Sequence, residues 1–188
     1  IFVVFSLISN QYSDQVAVLS IQGSMIQMVS HGFISAALFL CIGVLYDRLH
    51  SRNISDYGGV VNTMPAFAAL MLFFAMANAG LPGTSGFVGE FLVIISSFQV
   101  NFWIAFFAAF TLILGAAYTL WMYKRVIFGT VTNEEVNYLK DINTREKTIL
   151  VILALCILIL GLWPAPLLDM MFATIEHLLI QVSNGKLV

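Results

Sequence analysis

Two ionisable side chains lie deep inside apolar runs: Glu90 in GEFLVIISSF and His31 in MVSHGFISAALFL. Placing a charge in such surroundings is expensive, so these groups mark a site by their position alone. A carboxyl taken out of water favours its neutral form, and a nearby cation favours the carboxylate. A group poised between the two loads and releases a proton near neutral pH. Histidine titrates close to neutrality and carries two exchangeable ring positions, which suits a proton relay. Gln27 and Ser35 stand four residues to either side of His31 and Ser30 stands beside it, so the three read as one polar stripe with the histidine. The alternatives are structural: Glu90 as an acid satisfied by irregular backbone, and His31 as a core histidine bonded to a neighbouring helix. Metal ligation is not expected, because the apolar runs hold no second His and no Cys/Asp cluster beside it. Lys124, at the end of a later apolar run, reads first as an interfacial lysine and second as the entry of a proton path.

Glu90 follows a break signal. The stretch 65–98 is apolar over 34 residues, too long for one straight crossing and too short for two with a turn. At its middle stands AGLPGTSG, 79–86, where Pro82 lacks an N–H and Gly83, with Gly80 and Gly86, frees the backbone. The economical reading is one helix broken near mid-membrane, a device that builds ion sites in transporters. A tight hairpin centred on Pro82 is the alternative.

The elements that must position these groups are membrane helices. The chain has 188 residues, of which 60% are hydrophobic and 10% charged, and its mean hydropathy is +0.95. A soluble domain carries about 25% charged residues. The net charge of −2 and the absence of any basic run exclude nucleic acid as a partner. The expected fold is an all-α polytopic membrane protein, one membrane domain over 1–188. It has about four full transmembrane helices plus a partial N-terminal one: the end of a truncated helix at 1–9, a helix at 24–46, the broken helix at 65–98, and helices at 102–123 and 148–163. An amphipathic tail at 167–182 lies in the interface, with Asp169, Glu176 and His177 towards water. The opening IFVVFSLIS is too short to cross, and neither a preceding positive segment nor a following A-x-A-like site favours a signal peptide. A fragment, an incompletely covered chain or a split subunit accounts for it.

Trp103 begins the 102–123 segment and Tyr118, Trp121 and Tyr123 close it, an interfacial aromatic belt followed by Lys124 and Arg125. Arg48, Arg52, Lys124, Arg125, Lys140, Arg145 and Lys147 fall on one side if the segments alternate, against Lys186 on the other. The basic side is then the cytoplasm or matrix, and the C-terminus faces the periplasm or intermembrane space. Cys41 and Cys156 lie in different apolar runs without CxxC spacing, so neither a metal centre nor a disulfide is expected. Phosphate loops, catalytic triads and flavin motifs are missing from the sequence.

HGFISAALFLCIGVLYDRLHSR (31–52), LPGTSGFVGEF (81–91), AAYTLWMYKRVIFG (116–129) and the WPAP ending of the last crossing closely resemble the subunit 4 family of respiratory complex I, proton-pumping NADH:ubiquinone oxidoreductase, called subunit M in bacteria. The resemblance covers nearly the whole chain. It implies an antiporter-like subunit of about fourteen helices with two inverted repeats, each containing one broken helix, of which this chain is the later part. Glu90 matches the family's membrane-embedded glutamate, His31 its central-axis histidine, and Pro82 its break. The glutamate and lysines of the first repeat have no counterpart here. The implied function is proton translocation as part of NADH:ubiquinone reductase, a translocase, with no cofactor in this chain; FMN, iron–sulfur clusters and ubiquinone belong to other subunits. Implied partners are other membrane-arm subunits, including neighbouring antiporter-like ones, a separate chain carrying the N-terminal helices, and lipids. The implied location is the mitochondrial inner membrane or the bacterial plasma membrane. A related cation/proton antiporter or membrane-bound hydrogenase subunit is the alternative.

Overall fold

A computed structural model describes residues 14–131 and 133–185, so the segment 1–9 and Lys186 lie outside the described residues. Six α-helices carry the fold, and the described residues include no strand: α1 Asp14–Leu49, α2 Pro65–Asn78, α3 Ser85–Val100, α4 Phe102–Ile127, α5 Thr144–Leu162 and α6 Ala165–Gly185. The chain is an all-α polytopic membrane protein, with Gln15–Leu49, Phe102–Ile127 and Ala165–Val182 each long and apolar enough to cross a membrane.

α1 starts ten residues before position 24, because helical hydrogen bonding continues through the less apolar DQVAVLSIQG. Its 36 residues make a rod of about 54 Å, longer than the hydrocarbon core. The helix stops at His50, which takes a left-handed φ of 51° while its N–H still reaches Tyr46 O at 2.7 Å.

α2 and α3 are the two halves of the broken stretch. Gly80, φ 77°, follows the end of α2; its N–H bonds Ala77 O at 3.3 Å, and the N–H of Leu81 reaches Met76 O at 3.0 Å. Those two bonds form a Schellman cap, with glycine at the one position that needs a left-handed backbone. A turn follows at once. Thr84 N–H bonds Leu81 O at 3.1 Å, Pro82 holds the second place and Gly83, φ 93°, the third, as a type II turn requires.

The register against α1 distinguishes the broken helix from the hairpin. On α3, Ser85, Gly89 and Leu92 meet Ser30, Gln27 and Gly23 of α1, so one numbering falls as the other rises and the helices run antiparallel. α2 instead packs Phe67, Met71 and Phe74 into a core shared with Ala37, Cys41 and Val44 from the later half of α1 and with Tyr123 and Ile127 of α4. The halves therefore follow one another along α1 and do not fold back on each other.

At the end of α1 the connecting loops form a polar hub. Arg48 bonds both carboxylate oxygens of Glu146, at 2.8 and 3.1 Å, and donates from Nε to Lys140 O at 2.8 Å. Asp141 accepts from the N–H groups of Ala66 and Phe67, at 2.9 and 3.2 Å, and so caps α2 from a distant loop. Asn143 and Glu146 form a capping box, which starts α5 at Thr144 instead of 148. At the opposite end, the Asn101 side chain accepts from Trp103 and Ile104 N–H and opens α4. α4 runs to Ile127, placing Lys124 and Arg125 in its last turn, where cations complement the helix dipole.

The segment read as an interfacial tail at 167–182 is part of α6. That helix packs on α1, buries Ile175, leaves Asp169, Glu176 and His177 exposed, and has the lowest mean hydropathy of the three candidate crossings, 1.3 against 2.0 and 1.9.

Candidate functional site

The α1–α3 seam delivers Glu90 to its partners. Gly89 lies where Gln27 crosses it: a Cβ there would stand 2.6 Å from Gln27 Oε1 and 2.8 Å from Gln27 Cα. The missing side chain lets the two backbones approach closely enough for Gln27 Nε2 to donate to Glu90 Oε1, at 3.4 Å. One turn earlier Ser30 Oγ donates to Ser85 O at 2.9 Å, taking up a carbonyl of the first turn of α3. The other carboxylate oxygen, Oε2, is buried without a hydrogen-bond partner, as is Gln27 Oε1. Oε2 lies beside the break, where a Cβ on Gly80 would stand 2.5 Å from it.

A cavity of about 210 Å³ opens beside this pair. Its walls include Gln27 and His31 from α1, Asn78 from the end of α2, Glu90 from α3, and Thr111 and Tyr118 from α4. At roughly 30 Å³ per liquid water, a space of this size with several polar groups on its walls admits a small water cluster. His31 and Glu90, 59 residues apart in sequence, thus border one polar space. Ser35 Oγ stands 3.3 Å from His31 Nε2, so the stripe of Gln27, His31 and Ser35 is present. Ser30 is not on it. One residue means about 100° of helical rotation, and Ser30 turns into the α1–α3 seam, where it is buried, while His31 is exposed on the surface of this chain.

Pro82 lies exposed and Gly83 half-buried in the break, within the turn that sets the entry of α3. Lys124 is exposed, six residues past Tyr118 and about 9 Å further along α4, and does not line the cavity. Sequence reasoning missed three wall residues. Thr111 and Tyr118 share one face of α4 with Gly115, at spacings of four and three, a polar and small-residue stripe that helical periodicity could have revealed. Asn78 is the last residue of α2, and its Nδ2 donates to the buried Thr119 Oγ1 at 3.2 Å. Among the described residues no group of three His, Cys, Asp or Glu could hold a metal ion, and Cys41 and Cys156 are free.

This arrangement can pass protons. The imidazole accepts and donates at separate nitrogens, the carboxyl does so at either oxygen, and water between them shortens each transfer to hydrogen-bond length.

Residues 12–116 match the family described as NADH:quinone oxidoreductase/Mrp antiporter, TM. The chain is 53% identical over 158 residues to NADH-quinone oxidoreductase subunit M of Rhodobacter capsulatus, covering 84% of this chain and 31% of that protein. It is 45% identical over 166 residues to NADH-ubiquinone oxidoreductase chain 4 of Marchantia polymorpha, covering 88% of this chain and 33% of the relative. It therefore spans about a third of the length of the curated relatives it matches. Among solved structures, it resembles a chain of respiratory complex I from Thermus thermophilus with bound NADH, with a TM-score of 0.68 and 28% identity over 86% of this chain and 36% of that one. The fold also resembles a chain of the membrane-bound sulfane sulfur reductase, an archaeal respiratory membrane complex, with a TM-score of 0.70 and 24% identity over 76% of this chain and 24% of that one.

Proposed function

The chain belongs to the NADH:quinone oxidoreductase/Mrp antiporter membrane family, and from that premise we propose that it is a proton-translocating part of the membrane arm of NADH:ubiquinone oxidoreductase. The observation that carries the reading is a cavity bordered by both His31 and Glu90. A proton enters from the basic end, marked by Lys124 and Arg125, and reaches His31 through water. It crosses the cavity to Glu90 and leaves along the opposite side of the break. Gln27 holds one oxygen of Glu90 while the other faces Gly80, so the carboxyl sits between a fixed donor and an unfilled acceptor position.

In this reading NADH oxidation and quinone reduction take place on FMN, iron–sulfur clusters and ubiquinone in other subunits, and this chain contributes the translocation step of the reductase. Its partners are the other membrane-arm subunits, neighbouring antiporter-like subunits among them, and lipid. The membrane is the mitochondrial inner membrane or the bacterial plasma membrane, with the ends of α1 and α4 that carry Arg48 and Lys124 on the matrix or cytoplasmic side. The seven cations from Arg48 to Lys147 support that orientation.

Glu90→Gln in the assembled complex tests it. NADH-driven quinone reduction should persist in part while protons translocated per NADH fall; an unchanged proton yield overturns the role of Glu90. A cation/proton antiporter subunit or a membrane-bound hydrogenase subunit is the second reading, favoured by a family description that includes antiporters. Sodium-dependent activity without NADH-linked turnover would select it.

A further inference from the structure

The wall of the cavity facing α4 carries a group to which neither the sequence motifs nor the relatives' names give a role. Asn78 ends α2, immediately before the Schellman cap, and lines the same space as His31 and Glu90. Its Nδ2 is committed to Thr119 Oγ1, and Thr119 is buried, so the amide is latched to α4. That bond uses one N–H of the amide and fixes its plane, which leaves the second N–H to donate and Oδ1 to accept. Thr111 Oγ1 donates to Ala108 O at 2.6 Å and likewise keeps its acceptor capacity for the cavity. One side of the space thus presents a fixed amide with the hydroxyls of Thr111 and Tyr118, and the other presents Gln27, His31 and Glu90.

Water bound to an amide that is itself held in place takes its position and orientation from that amide. We propose that Asn78, held by Thr119, is a positioning residue that orients the cavity water for proton transfer between His31 and Glu90. The inference rests on the proton-transfer reading of this cavity. It adds that the alignment is set from α4, through an amide at the end of the broken helix. Asn78 itself carries no proton; it fixes the position and orientation of the water beside it.

The test uses the intact membrane complex, with Asn78→Leu, Thr119→Val, the double variant and Asn78→Ser, and with Glu90→Gln as reference. The readouts are the initial rate of proton translocation coupled to NADH oxidation and its ratio in H₂O and D₂O. Asn78→Leu should slow translocation by about two- to tenfold, the range one net hydrogen bond is worth. Its solvent isotope ratio should rise, because misaligned water then limits the transfer. Thr119→Val, which keeps the buried volume, should act in the same direction by releasing the amide, and the double variant should be no slower than Asn78→Leu. Asn78→Ser, which restores a hydrogen-bonding group, should recover part of the rate. Wild-type rate and isotope ratio in Asn78→Leu overturn the proposal, as do fully multiplicative effects in the double variant. If Asn78→Leu fails to assemble, Thr119→Val decides alone, and a wild-type rate and isotope ratio there overturn it. Loss of translocation in Glu90→Gln with none in Asn78→Leu removes this inference only, whereas retention in Glu90→Gln removes the functional reading beneath it.

Discussion

Glu90 and Gly80 face each other across the break in the broken helix: a Cβ on Gly80 would stand 2.5 Å from Oε2 of the carboxylate. Gly80 also holds a φ of 77°, which costs an L side chain roughly 1 kcal/mol or more. Gly80→Ala should therefore lower the thermal stability of the assembled complex and move Glu90 off its present position. Proton yield should fall further than the loss of assembled complex accounts for. A variant with normal stability and normal proton yield would show that the contact has no role.

Gln27→Leu removes the hydrogen bond to Glu90 Oε1 and keeps the approximate volume. Leaving a buried acceptor without its donor costs about 1–3 kcal/mol. Translocation should slow while NADH oxidation by a chemical acceptor stays normal. Gln27→Glu should be more damaging, because it sets two carboxyl groups against each other in one cavity. Equal activity of the two variants would count against a direct Gln27–Glu90 interaction.

Asp141→Ala strips the caps from Ala66 and Phe67 at the start of α2. A cap is worth about 0.5–2 kcal/mol. Hydrogen exchange should accelerate over the first turn of α2 and leave α4 unaffected. An unchanged exchange pattern would mean that Pro65 and the packing of Phe67 hold the turn without help.

The Arg48 guanidinium holds the Glu146 carboxyl below its ordinary value, helped by the Asn143 backbone. A carboxyl lowered in the folded state stabilises fully above its ordinary value of 4.5 and loses that contribution as pH falls through the lowered folded value. Glu146→Gln should thus melt earlier than the native protein near neutral pH, by about 1–2 kcal/mol for a half-buried charge-assisted pair. The two melting curves should converge as the pH drops below 4.5. A constant difference down to the acid limit would assign the effect to something other than this ionisation.

Glu90, His31 and Pro82 were legible in the sequence because each is out of place: two ionisable groups and a ring without an N–H, all within apolar runs. Asn78 was not, since an uncharged polar residue is ordinary in such helices; periodicity puts Thr111 and Tyr118 on one stripe with Gly115, but only the fold says which space that stripe faces. Ser30 shows the limit of proximity in sequence, because a neighbour of His31 on the chain faces a different helix. Asp141 was hidden for another reason. It caps a helix that begins some 75 positions earlier, and no local pattern encodes a cap at that separation. The α1 boundary was misjudged because hydropathy measures the lipid-facing part of a helix and not its length.

The hub formed by Arg48, Lys140, Asp141 and Glu146 ties together the end of α1, the start of α2 and the start of α5. Three helices that share one clasp cannot tilt independently at that end. α5 is also seated at its other end, on the α2–α3 junction, where a Cβ on Gly161 would stand 2.4 Å from Gly83 O and from Thr84 C. The first half of the broken helix is therefore held at both ends, by Asp141 at its start and by Gly161 at the break, and that fixes where α3 sets out toward Gln27.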